Sequence, residues 1–287
     1  MNTKSPAPPS RSAVWATVLA VPTLVLLLFF ATDVVSSALA KTSTFATNPE
    51  GLTVVSVAMM FGLLLLGGWA GGRLTGVRPF QAGDRPMVAL ALGMVMAIAA
   101  VIVAVAVSFL GNTIALGDGS QVIYLIGIGL ALTLLQSLAE EVAFRGWMQP
   151  VLVTAWGAMA GVTVTALIFA LLHFPAGASG PVSLLNLFLG GLVFGVLAYR
   201  SNAIVAPTAF HFTWNATEES LLGLLPNPGS PMFGSLVDLD LKGSALFGGG
   251  EQGLNQSLAM TVAFGLLLAV MFTYKQRTAK PLRELGD

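Results

Sequence analysis

The sequence predicts an all-α, polytopic integral membrane protein of about eight transmembrane helices with both termini on the cytoplasmic side. Three observations predict it. Apolar residue types make up 55% of the 287 residues and charged types 9%, against about 25% charged in an ordinary soluble domain. Charge that sparse cannot cover a water-exposed globule, so lipid must solvate most of the surface. Apolar runs near the roughly 20 residues needed to cross a hydrocarbon core recur along the chain. Lysine and arginine cluster on one side of those runs, as cytoplasmic segments do.

The runs read as 13–31, 52–70, 88–110, 122 to about 152, 155–172, 183–199, 203–219 and 254–274. With the N-terminus inside, Lys4, Arg11, Arg73, Arg78, Arg85, Arg200, Lys275, Arg277, Lys280 and Arg283 are cytoplasmic, and only Lys41 and Lys242 lie outside. Arg145 falls within a span. This bias implies a plasma-membrane protein of bacterial type. Ala38-Leu39-Ala40 resembles a signal-peptidase site. The apolar run before it, however, is longer than the roughly 7–15 residues of a signal h-region, so an uncleaved first helix is expected.

The remaining segments are simpler. Residues 1–12 are polar and Pro-rich and read as a disordered cytoplasmic tail. Residues 13–274 read as one helical domain with a motif-bearing core at 122–219, an extracytoplasmic Gly- and Pro-rich loop at 220–253, and a basic tail at 275–287. Gly191 and Gly195, four apart, suit close helix packing. No basic stripe exists, so nucleic acid is not an expected partner. Cysteine is absent, which excludes disulfides, thiolate metal sites and a cysteine nucleophile.

Ionisable groups inside spans are costly and point to function. Glu140 and Glu141 lie deep in the fourth run, and two adjacent carboxylates in an apolar helix resist ionising together. Such a group suits general acid–base work. Arg145 follows Glu141 at the spacing that shares a helix face and is expected to neutralise it, leaving Glu140 to face another way. Both histidines of the chain also lie in spans. His173 shares a face with Phe169, and His211 shares one with Asn215. Two histidines, two carboxylates and an amide in one bilayer imply a common polar chamber.

Glu140-Glu141-x-x-x-Arg145, Phe169-x-x-x-His173 and His211-x-x-x-Asn215, with Glu-Glu-x-x-Phe-Arg-Gly ending at Gly146, resemble the three motifs of the type II CAAX prenyl endopeptidase and bacteriocin-processing family, also called CPBP or Abi proteins. The resemblance covers about a third of the chain, roughly 122–219. It implies an intramembrane endopeptidase acting on a membrane-associated peptide or protein. Glu140 would activate the attacking water with help from His173. His211 and Asn215 would stabilise the oxyanion, with Glu141, Arg145 and Phe169 in support. No cofactor is required in that reading. A zinc version, with Glu140, His173 and His211 as ligands, also fits two histidines and a carboxylate.

Two other classes fit parts of the pattern: a non-enzymatic immunity or scaffold protein that keeps the chamber, and, with less support, a transporter or channel, since intramembrane Glu and His also mark proton relays. The shared chamber carries a geometric condition. Glu140 and His173 meet only if the fourth helix continues beyond Arg145. The expectation is therefore a long fourth helix, kinked or broken near Pro150, and a chamber on the cytoplasmic side of the midplane.

Overall fold

Every apolar run becomes helix in the structure, a computed structural model, which describes residues 10–117, 123–175, 177–178, 180–224, 233–250 and 252–273. Helix α1 (Arg11–Leu39) starts on Ser10, whose hydroxyl accepts the Ala13 N–H, and α2 (Pro49–Leu74) starts on Asn48, whose side chain accepts the Gly51 N–H. Helices α2, α3 (Pro86–Leu110) and α6 (Pro181–Ser201) each open on proline, where a missing N–H costs nothing. Helix α4 (Ile126–Glu141) runs through a π-helical stretch, Val142–Met148, into α5 (Gln149–Leu171). Helix α7 (Val205–Ala216) ends in a second π-helical stretch, Thr217–Leu221, and α8 (Leu258–Thr273) closes the bundle. Helix therefore reaches back to Arg11, inside the span expected to be a disordered tail; residues 1–9 and 274–287 lie outside the described residues.

Five helical stretches are long and apolar enough to cross a membrane, and Leu258–Thr273 is a shorter apolar helix. One of the five is the 49-residue run Ile123–Leu171, which holds two arms. They meet at Gly157, whose φ of 84° and ψ of 167° belong to a region essentially closed to other residues. The fourth helix thus continues past Arg145 as required, but it breaks at Gly157 and not near Pro150. Pro150 is tolerated because the π-helical turn precedes it: the Gln149 N–H reaches Phe144 O, five residues back, which shifts the hydrogen-bond register just where a donor goes missing.

The reversal sets depth. Glu140 lies about 17 residues before Gly157 and His173 about 16 after it, so each sits roughly 25 Å from the turn. Contact between the Phe144 and Phe169 rings, with centroids 5.2 Å apart, shows the arms side by side below that level. Glu140 is also about 14 residues, or about 21 Å, from the opposite end of its helix at Ile126. The carboxylates therefore sit about midway along this first arm, between Ile126 and Gly157. The expected position was off because the arm was counted to residue 152 and not to Trp156.

Packing is close around several glycines. A methyl group on Gly191 would lie 3.0 Å from Ala166, and one on Gly195 would lie 2.8 Å from both Val162 and Gln149, as their spacing implied. Gly68 meets Ala143 in the same way, bringing α2 onto the π-helical stretch. Phe144, Met148, Leu152 and Phe210 fill the core among α4–α7. Outward-facing positions of α1–α3 carry large apolar chains such as Leu19, Leu27, Leu66 and Ile102, as contact with lipid demands. Part of the 220–253 segment is more ordered than a plain loop. Strand β2 (Leu239–Leu241) pairs antiparallel with β1 (Ile114–Leu116), Ala115 opposite Asp240.

Candidate active site

The site begins with Glu140 and Glu141 at the end of α4, immediately before the π-helical stretch. Such stretches occur often at functional sites because the extra residue per turn re-aims side chains. Here all seven residues Val142–Met148 are buried. Arg145 NH1 donates to Glu141 Oε1 at 3.0 Å, with both side chains out of reach of solvent. Arg145 NH2 donates to the Gly191 carbonyl at 3.1 Å. The guanidinium lies 4.6 Å from the Phe169 ring centroid and 5.0 Å from that of Phe194, so aromatic faces supply the rest of its solvation. The pairing expected for Glu141 and Arg145 is thus present, and Phe169 supports it.

His211 joins this network from α7. Its Nδ1 lies 3.1 Å from Glu141 Oε1, and its Nε2 lies 4.0 Å from Glu140 Oε2. The two carboxylates do not turn apart, as expected from sequence; they address opposite nitrogens of one imidazole. Phe194 stacks on that ring, centroids 4.6 Å apart and planes 18° from parallel, so its orientation is fixed by packing as well as by charge. Gln136, one turn before Glu140, donates to Glu140 Oε1 at 3.4 Å, a long bond.

His173 stands at the rim. It lies two residues past the end of α5, is half-buried, and its Nδ1 donates to the Phe169 carbonyl at 2.8 Å. Its ring packs 4.6 Å from the Phe169 ring, which in turn stands 6.3 Å from His211. With Nδ1 engaged, Nε2 is the nitrogen left for chemistry. Asn215 is buried one turn beyond His211, on the same helix face. Direct contacts thus join Glu140, Glu141, Arg145 and His211. His173 is linked through Phe169, and Asn215 through its position on α7.

Among the described residues, no group of three His, Asp or Glu side chains is arranged to hold a metal ion. Within the expected set of Glu140, His173 and His211, the last turns Nδ1 to Glu141 at 3.1 Å and Nε2 towards Glu140 at 4.0 Å, and a carboxylate on one ring nitrogen is compatible with a metal on the other.

Several polar groups escaped the sequence reading. Gln136, Phe194 and the Gly191 carbonyl carry no motif signal. Glu218 and Glu219 had one: they continue the spacing of His211 and Asn215 into the π-helical stretch that ends α7. Glu218 is buried, and Glu219 Oε2 accepts from Thr133 Oγ1 of α4 at 3.4 Å. The acidic residues of the membrane region therefore number more than the two first counted.

Residues 122–217 match the model of a family described as Rce1-like, type II CAAX prenyl endopeptidase Rce1-like. Glu140, Glu141, Arg145, Phe169, His173, His211 and Asn215 all fall inside the matched third of the chain. No curated protein matches it.

Proposed function

We propose that this chain, assigned by its motif region to the CAAX-protease-like membrane endopeptidases, hydrolyses a peptide bond of a membrane-associated protein or peptide with a water activated by Glu140. The observation that carries this reading is the placement of His211 between two buried carboxylates, with Nδ1 on Glu141 and Nε2 towards Glu140.

In this mechanism Glu140 takes a proton from water as the hydroxide attacks the scissile carbonyl. It then delivers that proton to the departing amine, so the carboxylate is restored. Held through Nδ1 by Glu141, His211 presents Nε2 on the side where the oxyanion forms, as one donor to it. Asn215 supplies a second donor through its amide. Donors aimed in advance at developing charge contribute most where water is scarce. His173, at the rim, holds the attacking water against Glu140. Glu141 and Arg145 position His211 and do not touch substrate.

The test uses the reconstituted full chain in lipid vesicles with a membrane-protein extract as substrate, reading new peptide termini by mass spectrometry. Glu140→Gln is expected to lower cleavage by roughly 10²–10⁴-fold, and Asn215→Ala by roughly 10²–10³-fold. Wild-type levels of the same termini from Glu140→Gln would sink the hydrolytic reading. Activity that survives dialysis against a zinc chelator supports glutamate-activated water; loss restored by added zinc overturns it.

A further inference from the structure

At the basic end of the bundle lies a cavity of about 430 Å³ that the hydrolytic reading does not use. Its walls come from the segment before α3, from residues 145–154 and from the turn between α6 and α7. Arg78, Arg145 and Arg200 line it together with Gln81 and Asn202, and its lining contains no aspartate or glutamate. Arg145, at 2% exposure, forms one wall, and its Nε has no hydrogen-bond partner among the described residues. Arg78 is exposed and Arg200 half-buried, and neither makes an ion pair with a carboxylate among the described residues.

The turn between α6 and α7 is built to keep this shape. Asn202 caps α6 in the left-handed conformation, with φ of 47°, and the Ile204 N–H donates to the Gln81 carbonyl at 3.0 Å. The backbone of the segment before α3 is thereby tied to the start of α7. Tyr199 lines the same cavity and is half exposed, while the Trp15 and Trp156 rings pack edge to face at the same end with centroids 5.8 Å apart. Amphipathic aromatics of this kind mark the headgroup level of a bilayer.

We propose that this cavity binds a phosphate group presented by the headgroup of an anionic phospholipid. Cationic guanidinium groups match phosphate oxygens in geometry as well as charge. Basic pockets between transmembrane helices are a recognised setting for anionic headgroups. The aromatic surroundings select a lipid-borne phosphate over a soluble one, because they set the cavity where headgroups are concentrated.

Native mass spectrometry of the detergent-purified full chain, titrated with phosphatidylglycerol, reads the affinity directly. One lipid is expected to bind tightly. The Arg78→Gln/Arg200→Gln pair is expected to weaken it by about 25-fold, at about fivefold per arginine. Arg73→Gln/Arg85→Gln removes the same charge from the same end, outside the cavity, and is expected to change affinity less than about twofold. Equal loss in the two double variants overturns the site in favour of diffuse attraction. Full displacement of the lipid by inorganic phosphate at equal concentration overturns the lipid source.

Discussion

Removing Glu141 alone would strand Arg145 in a place without water. Breaking a buried ion pair by deleting one partner costs about 3–5 kcal/mol, because the surviving charge stays desolvated, whereas replacing both partners together is often close to neutral. Glu141→Leu is therefore expected to lower thermal stability sharply in detergent, and Glu141→Leu/Arg145→Met to recover most of it without recovering cleavage. Stability equal to wild type in the single variant would show that the pair does not hold α4 to α6. At this scale the sequence was informative where chemistry is local. Glu141 and Arg145 meet because a four-residue spacing on one helix brings them together. It was silent on His211 bridging to Glu141, since nothing short of the packing of α4 against α7 aligns those two groups. Glu218 and Glu219 were passed over because they stand at the edge of an apolar run, where a loop carboxylate and a buried one look alike in sequence.

At the scale of elements, two glycines carry the arrangement. Gly157 turns the long run back on itself with backbone angles that a Cβ resists. Gly157→Ala is expected to destabilise the hairpin by about 1–3 kcal/mol, read as a lower melting temperature, and to lower cleavage by displacing His173 from the level of Glu140. An unchanged melting temperature would mean that the turn relaxes elsewhere. Gly191 lets α5 and α6 touch and offers its carbonyl to Arg145. Gly191→Val forces both apart, at roughly 1–3 kcal/mol, and is expected to reduce activity more than the melting temperature alone explains. The spans themselves were legible, because hydropathy and length speak directly about lipid. The site of the break was not. Proline is the stronger breaker in sequence, yet a π-helical register absorbed Pro150 and left Gly157 to make the turn.

For the whole molecule, the absence of cysteine makes topology accessible to single introduced thiols. Arg73→Cys is expected to react with a membrane-impermeant maleimide only after the cytoplasmic side is opened, and Leu236→Cys in intact cells; the reverse pattern would invert the bundle. The lipid-facing exterior, the bias of arginines to one end and the motif order were all available before any coordinates, because each follows from solvation. The position of the carboxylates along the first arm was not, because it depends on where the long helix turns at Gly157. Among the described residues, Arg145 alone belongs both to the wall of the basic cavity and to the carboxylate network, with Phe169 and Phe194 against it. In an energised membrane, each elementary charge crossing 100 mV releases about 2.3 kcal/mol, so a wet chamber open at both ends would short-circuit the potential. In the hydrolase proposed above, the clamped guanidinium would serve as an electrical insulator as well as a prop for Glu141, standing between a water-consuming site and the basic cavity.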